Sequence, residues 1–120
     1  MEVRAIMKNV PMSAQKMREM VRQIQGLPAL QAQAVLKVVP RKSARFVAKT
    51  LNSAIANADD LKEHKPEYKE LQTEKLWVKE AVAGTAMTIR RFTPKARGSA
   101  GPIIKRRCHV KIVLSNGVVE

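Results

Sequence analysis

The chain has 120 residues and carries 23 Lys and Arg against 10 Asp and Glu, a formal net charge of +13. This length suffices for one domain, residues 1–120, and its single cysteine excludes an internal disulfide framework or a cysteine-rich zinc site. No apolar run approaches the ~20 residues of a membrane-spanning helix, and the N-terminus lacks a signal peptide's apolar stretch. These exclusions leave a strongly basic domain of a reducing compartment, and its charge predicts a polyanionic partner.

The positive charge lies in two parts of the sequence. Residues 1–58 hold ten basic and two acidic side chains, and residues 59–80 hold five basic and seven acidic ones. Residues 81–119 hold eight basic side chains and no acidic one. Because a solvated surface normally mixes both signs, the last segment favours contact with phosphate over a merely soluble basic surface.

The first part of the chain predicts a strand followed by helices. Residues 2–8 alternate as a short strand. Ser13 is a candidate N-cap for a first helix, and Gly26 is a natural stop for it. Pro28 fits the first turn of a second helix that runs to about Val38.

A third helix is predicted over residues 41–60, because apolar residues recur there at helical spacing: Ala44, Val47, Ala48, Leu51, Ala54, Ile55 and Ala58. Its first turn holds Arg41, Lys42 and Arg45, where the helix dipole is already positive. That placement costs ~0.3–1 kcal/mol per cation and becomes favourable if a phosphate binds there. We expect three further cations to extend this face: Lys8, Lys16 and Arg18. The charged stretch 61–71 predicts a loop.

From Leu76 onward the pattern changes to period two. The pattern predicts two strands, at residues 76–92 and 107–114, joined by the turn-rich segment 93–102. Together they would form an extended β-hairpin over residues 80–107. Seventeen extended residues reach ~55 Å, whereas a compact body of ~90 residues has a radius of gyration of ~12 Å. The hairpin therefore projects beyond the core, and such a ribbon needs support from another molecule.

Catalysis is poorly supported by the sequence. Cys108 and His109 are neighbours on a strand and point to opposite faces, so they do not form a nucleophile and its base. His64 falls in the predicted loop without metal-ligand spacing, and Asp59 and Asp60 read as solvated carboxylates at a helix end. No phosphate-binding glycine loop is present in the sequence. We predict neither an enzyme nor a metal or cofactor site.

The hairpin carries the residues that predict nucleic-acid binding. Its cations flank small residues, which let the backbone approach a partner closely, and arginine forks onto phosphate or stacks on a base. The glycines could instead simply make the turn. The side chains of this part that we predict to bind RNA, including two of the final strand, are Arg90, Arg91, Lys95, Arg97, Lys105, Arg106, Arg107, His109 and Lys111.

Four stretches resemble the bacterial large-subunit ribosomal protein twenty-two family. They read SAQKMR at 13–18, SAIANA at 53–58, RFTPKARG at 91–98 and IKRRCHV at 104–110. The resemblance implies an α/β fold of the α+β type. Three helices would pack on a small three-stranded antiparallel sheet with a long protruding β-hairpin, all seated on 23S ribosomal RNA.

The resemblance also implies a place and partners for the hairpin. Its tip would line the nascent-peptide exit tunnel with Ile89, Arg90, Arg91, Phe92, Thr93, Pro94, Lys95, Ala96, Arg97, Gly98 and Ser99. Relatives commonly place another basic residue where Ser99 stands, so this tip is less cationic. The implied partners are 23S ribosomal RNA, neighbouring large-subunit proteins and the nascent peptide, in the cytoplasmic ribosome, with no membrane and no homo-oligomer.

One alternative comes from a different class of function. The second and third helices could form a helix-turn-helix unit of a DNA-binding regulator. The turn at Val39–Pro40 is short for that motif, and sedimentation with ribosomes at moderate salt separates the two hypotheses.

Overall fold

The computed structural model describes residues 2–66, 75–94, 96–98 and 100–115. Helices come mainly first and strands mainly last, which is the α+β class that the resemblance implied. In chain order the elements are β1 (Glu2–Val10), α1 (Ala14–Ile24), α2 (Ala29–Val38), α3 (Lys42–His64), β2 (Trp77–Thr85), β3 (Ile89–Pro94), a short 3₁₀ turn (Ala96–Gly98), β4 (Ala100–Lys105) and β5 (Cys108–Ser115).

The strands form two antiparallel sheets. The body sheet has the order β1-β5-β2, and β3 and β4 form a separate two-stranded ribbon. In the body sheet β5 is central, and its Ile112 lies between Ala5 of β1 and Ala81 of β2. These small neighbours leave room for the isoleucine and for the helices that cover the same face.

The core lies between the body sheet and helices α1 and α3, and α2 packs on α3. The alternation predicted for the last strand is confirmed from Cys108 to Ile112, whereas Val113, predicted on the other face, is buried as well as Leu114. The largest side chains that are fully buried come from both layers: Met17, Met20, Ile24, Leu51, Leu76, Ile112 and Leu114. Among the described helices, none is both long and apolar enough to cross a membrane.

The loop between α1 and α2 closes one edge of the sheet. The Gly26 N–H donates to the Val78 carbonyl at 2.8 Å, and the Val78 N–H donates to the Leu27 carbonyl at 2.8 Å. Gly26 has a φ of +85°, a conformation that glycine adopts without steric cost. The predicted glycine stop of the first helix is therefore confirmed, and the same turn pairs backbone that an edge strand would leave open.

The structure confirms one prediction about a helix end in part and contradicts another. Ser13 occupies the N-cap of α1 as predicted, but its side chain makes no capping hydrogen bond. Helix α3 reaches His64 instead of ending at residue 60, so Asp59 and Asp60 lie inside it and His64 is helical. The His64 imidazole lies 3.3 Å from the Asp60 carboxylate one turn earlier, which supports the extra turn. The part of the predicted loop from residue 67 to 71 falls outside the described residues.

The single arm predicted over 76–92 is divided in the structure. β2 ends at Thr85 in the body sheet, and β3 begins at Ile89 in the ribbon. Between the sheets the Ala86 N–H donates to the Arg107 carbonyl at 3.2 Å. The ribbon strands also continue into the predicted turn segment 93–102, since they pair as far as Pro94 opposite Ala100.

The hairpin gives the molecule an elongated shape. Its principal extents are 67 × 28 × 23 Å, and its Cα radius of gyration is 17.8 Å. A compact chain of this length would have a radius of gyration of ~14 Å. The projection predicted from arm length is therefore present.

Candidate nucleic-acid interface

Three cations of the ribbon each lie opposite an isoleucine on the neighbouring strand. Successive pairs of an antiparallel ladder point to alternate faces, so both faces of the ribbon receive a cation and an aliphatic side chain. The three pairs are Ile89 with Lys105, Arg90 with Ile104 and Arg91 with Ile103. Each face can therefore meet phosphate and apolar surface together.

The ribbon also exposes large apolar side chains. Phe92 is 77% exposed, and Met87, just before the ribbon, is 81% exposed. A two-stranded ribbon buries little apolar surface on its own and is marginal in water. The exposed side chains and the cations between them indicate a surface that another molecule surrounds.

At the base of the hairpin, cations from two elements line one groove. Arg106 and Arg107 lie opposite the first turn of α1 and the segment from Thr85 to Thr88. Arg18 of α1 lines the same groove, and its Nε donates to the Ala83 carbonyl at 3.0 Å. That bond fixes the guanidinium against β2, so Arg18 has a structural contact besides the predicted one to RNA. The described lining of this groove contains no acidic residue.

A second groove shares the same two arginines. It brings together Lys16 of α1, Lys42 of α3 and the segment from Lys105 to Arg107. Its described lining is also free of acidic side chains. Cations far apart in sequence thus converge where the hairpin leaves the body, and we call the two grooves together the hairpin-base surface.

The cations predicted at the start of α3 have different surroundings. Arg41 forms an ion pair with Glu19 at 2.9 Å, and both side chains are about half exposed. Such a pair contributes only about 0–1 kcal/mol, so phosphate can displace the carboxylate. Lys42 Nζ lies 5.9 Å from the centre of the Phe46 ring. Arg45 is exposed, and the described first turn holds no acid.

Three predicted residues lie on the sheet face away from the helices. Lys8 is exposed near the end of β1, and Lys111 of β5 pairs laterally with Ile6 and Val82. His109 Nδ1 accepts the Asn9 N–H at 3.1 Å, where β1 bulges and Asn9 has a φ of +57°. His109 therefore holds the bulge, and these residues do not join the hairpin-base surface.

The tip is described in part. Ala96, Arg97 and Gly98 form the short 3₁₀ turn and are exposed. Arg97 has a φ of +61°, which costs a side-chain-bearing residue ~1–2 kcal/mol. Lys95 and Ser99, which were also predicted to belong to the tip, lie outside the described residues.

Sequence reasoning missed two cations. Lys37 near the end of α2 and Lys49 on α3 line a third groove together with Arg41, Lys42 and Arg45. The spacing of Lys42, Arg45 and Lys49 on one helical face was a signal that could have found the second of them. Lys37 required knowledge of how α2 packs on α3.

Cys108 and His109 do not form a catalytic pair. Cys108 is fully buried, and burial raises the pKa of its thiol. Its neighbour His109 lies on the opposite face of β5, as the strand pattern predicted. Within the described residues no group of histidine, cysteine and acidic side chains could hold a metal ion.

We expect the Cys108 thiol to be inert in the native protein. Iodoacetamide should alkylate it on the order of 100-fold more slowly in buffer than in denaturant, because only the exposed thiolate reacts. The folded state keeps the thiol proton more tightly than the unfolded chain, so stability should fall as the pH rises above the ordinary thiol range. Mass spectrometry of time points measures the rates, and equal rates would contradict the buried position.

Comparison with known proteins decides the family. Residues 5–115 match the family described as Ribosomal protein L22p/L17e. The chain belongs to this family. The resemblance predicted from the sequence motifs is therefore confirmed.

The relatives match over nearly their whole length. A protein of Opitutus terrae is 44% identical over 117 residues, which cover 98% of this chain and 97% of the relative. One of Methylacidiphilum infernorum is 45% identical over 95% of this chain and 94% of the relative. One of Akkermansia muciniphila is 40% identical, with 97% of each covered. All three are named Large ribosomal subunit protein uL22.

Proposed function

We propose that the chain is a non-enzymatic structural constituent of the large ribosomal subunit in the cytoplasm, held there by 23S ribosomal RNA. The observation that carries this function is the hairpin-base surface, where cations of α1, α3 and the hairpin converge without an acid in the described lining. A polyanion is the partner that such a surface fits. Family membership over residues 5–115 supports ribosomal RNA as that polyanion.

The hairpin serves a second part of this function. It lines the nascent-peptide exit tunnel with its tip, while its cations contact RNA along its length. In support, the molecule is 67 Å long, and the described tip exposes the small residues Ala96 and Gly98 on either side of Arg97. Such a surface suits passage of an unfolded chain. Neighbouring large-subunit proteins and the nascent peptide complete the set of partners, and no homo-oligomer is needed.

The DNA-binding alternative has less support. Helix α3 packs against α1, α2, β1 and β5 and buries seven side chains. A reader helix also buries one face, so this packing is compatible with both hypotheses. A helix-turn-helix function would leave the positive charge of the hairpin unexplained.

Sedimentation tests the proposed function. Tagged full-length protein, produced in a bacterial relative in place of the resident copy, should sediment with the large subunit and remain there through a moderate-salt wash. Its affinity for naked 23S ribosomal RNA should fall with salt with a slope of roughly 0.7–0.9 per phosphate neutralised. Protein that stays in the supernatant, or a salt-independent affinity, would contradict the function.

A further inference from the structure

A third cationic groove lies between α2 and α3, away from the hairpin. It has a volume of about 860 Å³ and is lined from α2, the connecting turn and the first half of α3. Its lining holds five cations and no acidic residue: Lys37, Arg41, Lys42, Arg45 and Lys49. One end is tied by the Gln33 side chain, which donates to Asn52 Oδ1 at 2.8 Å and holds the two helices together. The groove is thus part of the fixed body.

The cations at the start of α3 run against its dipole. Lys42, Arg45 and Lys49 occupy its first third, and its first turn holds no acidic residue. The last turns mix acidic side chains with Lys62. A helix dipole favours the opposite arrangement, by ~0.3–1 kcal/mol for each charge within the terminal turn. Lys42 lies near the Phe46 ring, but the described residues place no acidic partner beside Arg45 to offset this cost. A bound anion along the groove would do so.

Most of these cations also lack internal partners. Over residues 2–66, 75–94, 96–98 and 100–115, Arg41 pairs with Glu19, whereas Lys37, Arg45 and Lys49 have no ion pair. The three α3 cations lie at i, i+3 and i+7, so they follow one helical face at axial steps of ~4.5 and ~6 Å. A row of separated cations fits a chain of phosphates better than one isolated anion.

We propose that the α2–α3 groove binds the phosphodiester backbone of a ribosomal RNA strand through Lys37, Arg45 and Lys49. This inference rests on the proposed function and adds a binding surface distinct from the hairpin. Lys42 lines both this groove and the hairpin-base surface, so the two form one track around the start of α3. An acidic protein segment is a less suitable occupant, because the described lining of the groove holds no aromatic side chain on which such a segment could anchor.

Charge reversal tests the groove in the full-length protein. The double variant Lys37→Glu and Lys49→Glu should bind naked 23S ribosomal RNA at least tenfold more weakly than the native protein. Its salt slope should decrease by roughly 1.4–1.8, as expected for two lost phosphate contacts. The matched control is Lys62→Glu with Lys65→Glu, which makes the same charge change at exposed positions outside the groove. Circular dichroism melting confirms that both variants fold.

A second measurement needs no variant. Acetylation of lysines in the assembled subunit should protect Lys37 and Lys49 relative to the free protein and leave Lys62 reactive. Equal affinity losses in the two double variants, or no protection, would overturn the inference. Protection together with unchanged RNA affinity would also overturn it, because a neighbouring protein would then fill the groove. Native protein that fails to bind the RNA at all would refute the proposed function instead.

Discussion

Replacing Lys105, Arg106 and Arg107 together by glutamine is expected to weaken binding to 23S ribosomal RNA about 100-fold, because each lost phosphate contact costs roughly 1 kcal/mol of binding free energy. Arg106 and Arg107 line both grooves of the hairpin-base surface, and Lys105 lines one of them. Their loss therefore removes charge from both grooves. The salt slope of the affinity should fall by about 2–3. Filter binding over a range of salt concentrations measures both quantities.

A matched triple variant separates local contact from net charge. Lys62, Lys65 and Lys75 are exposed, lie outside the hairpin-base surface, and lose the same three charges when replaced by glutamine. This control should change the affinity by less than about threefold, because distant exposed charges are screened by salt. Equal losses in the two variants would show that the protein binds RNA only through its overall charge.

The substitution Leu51→Ala is expected to lower the free energy of unfolding by about 2–5 kcal/mol. Leu51 is fully buried on α3 within the core shared with α1 and the body sheet. Its truncation loses apolar burial and leaves a cavity that fixed neighbours fill only in part. Since a domain is stable by only about 5–15 kcal/mol, this is a large part of the total. Urea denaturation followed by circular dichroism measures the change.

Leu30→Ala provides the comparison for this prediction. Leu30 lies on α2 and is 59% exposed, so the same chemical change removes little burial. Its free energy of unfolding should change by less than about 1 kcal/mol. Similar losses for the two leucines would mean that α3 does not form the centre of the core.

Local patterns were enough to predict most of the elements. The apolar stripe from Ala44 to Ala58 identified α3, and the period-two run from Cys108 identified β5, because burial on one face imposes a period on the sequence. The cations of the hairpin were found in the same way, since they cluster within a short stretch. Helix ends were predicted less well, because nothing in the sequence stops a helix sharply at Asp60.

The assembly of the interface could not be predicted from sequence. The Arg41–Glu19 ion pair and the bond from Arg18 to Ala83 depend on how α1 packs against α3 and β2. The division of the arm at 86–88 likewise depends on where the body sheet ends. These contacts are set by tertiary packing, and no periodicity in the sequence reports them.

The strand order has a consequence for how the protein is made. β1 and β2 do not pair with each other, and each is hydrogen-bonded only to β5 in the body sheet. Residues 108–115 are the last described part of the chain to be synthesised, so no ladder of that sheet can form before they emerge. The helices can form early from local contacts, whereas the pairing of Val3 with Leu114 must close a loop that spans almost the whole described chain. Folding of the body sheet is therefore delayed until residues 108–115 have emerged, and the cationic hairpin is already available to RNA at that moment.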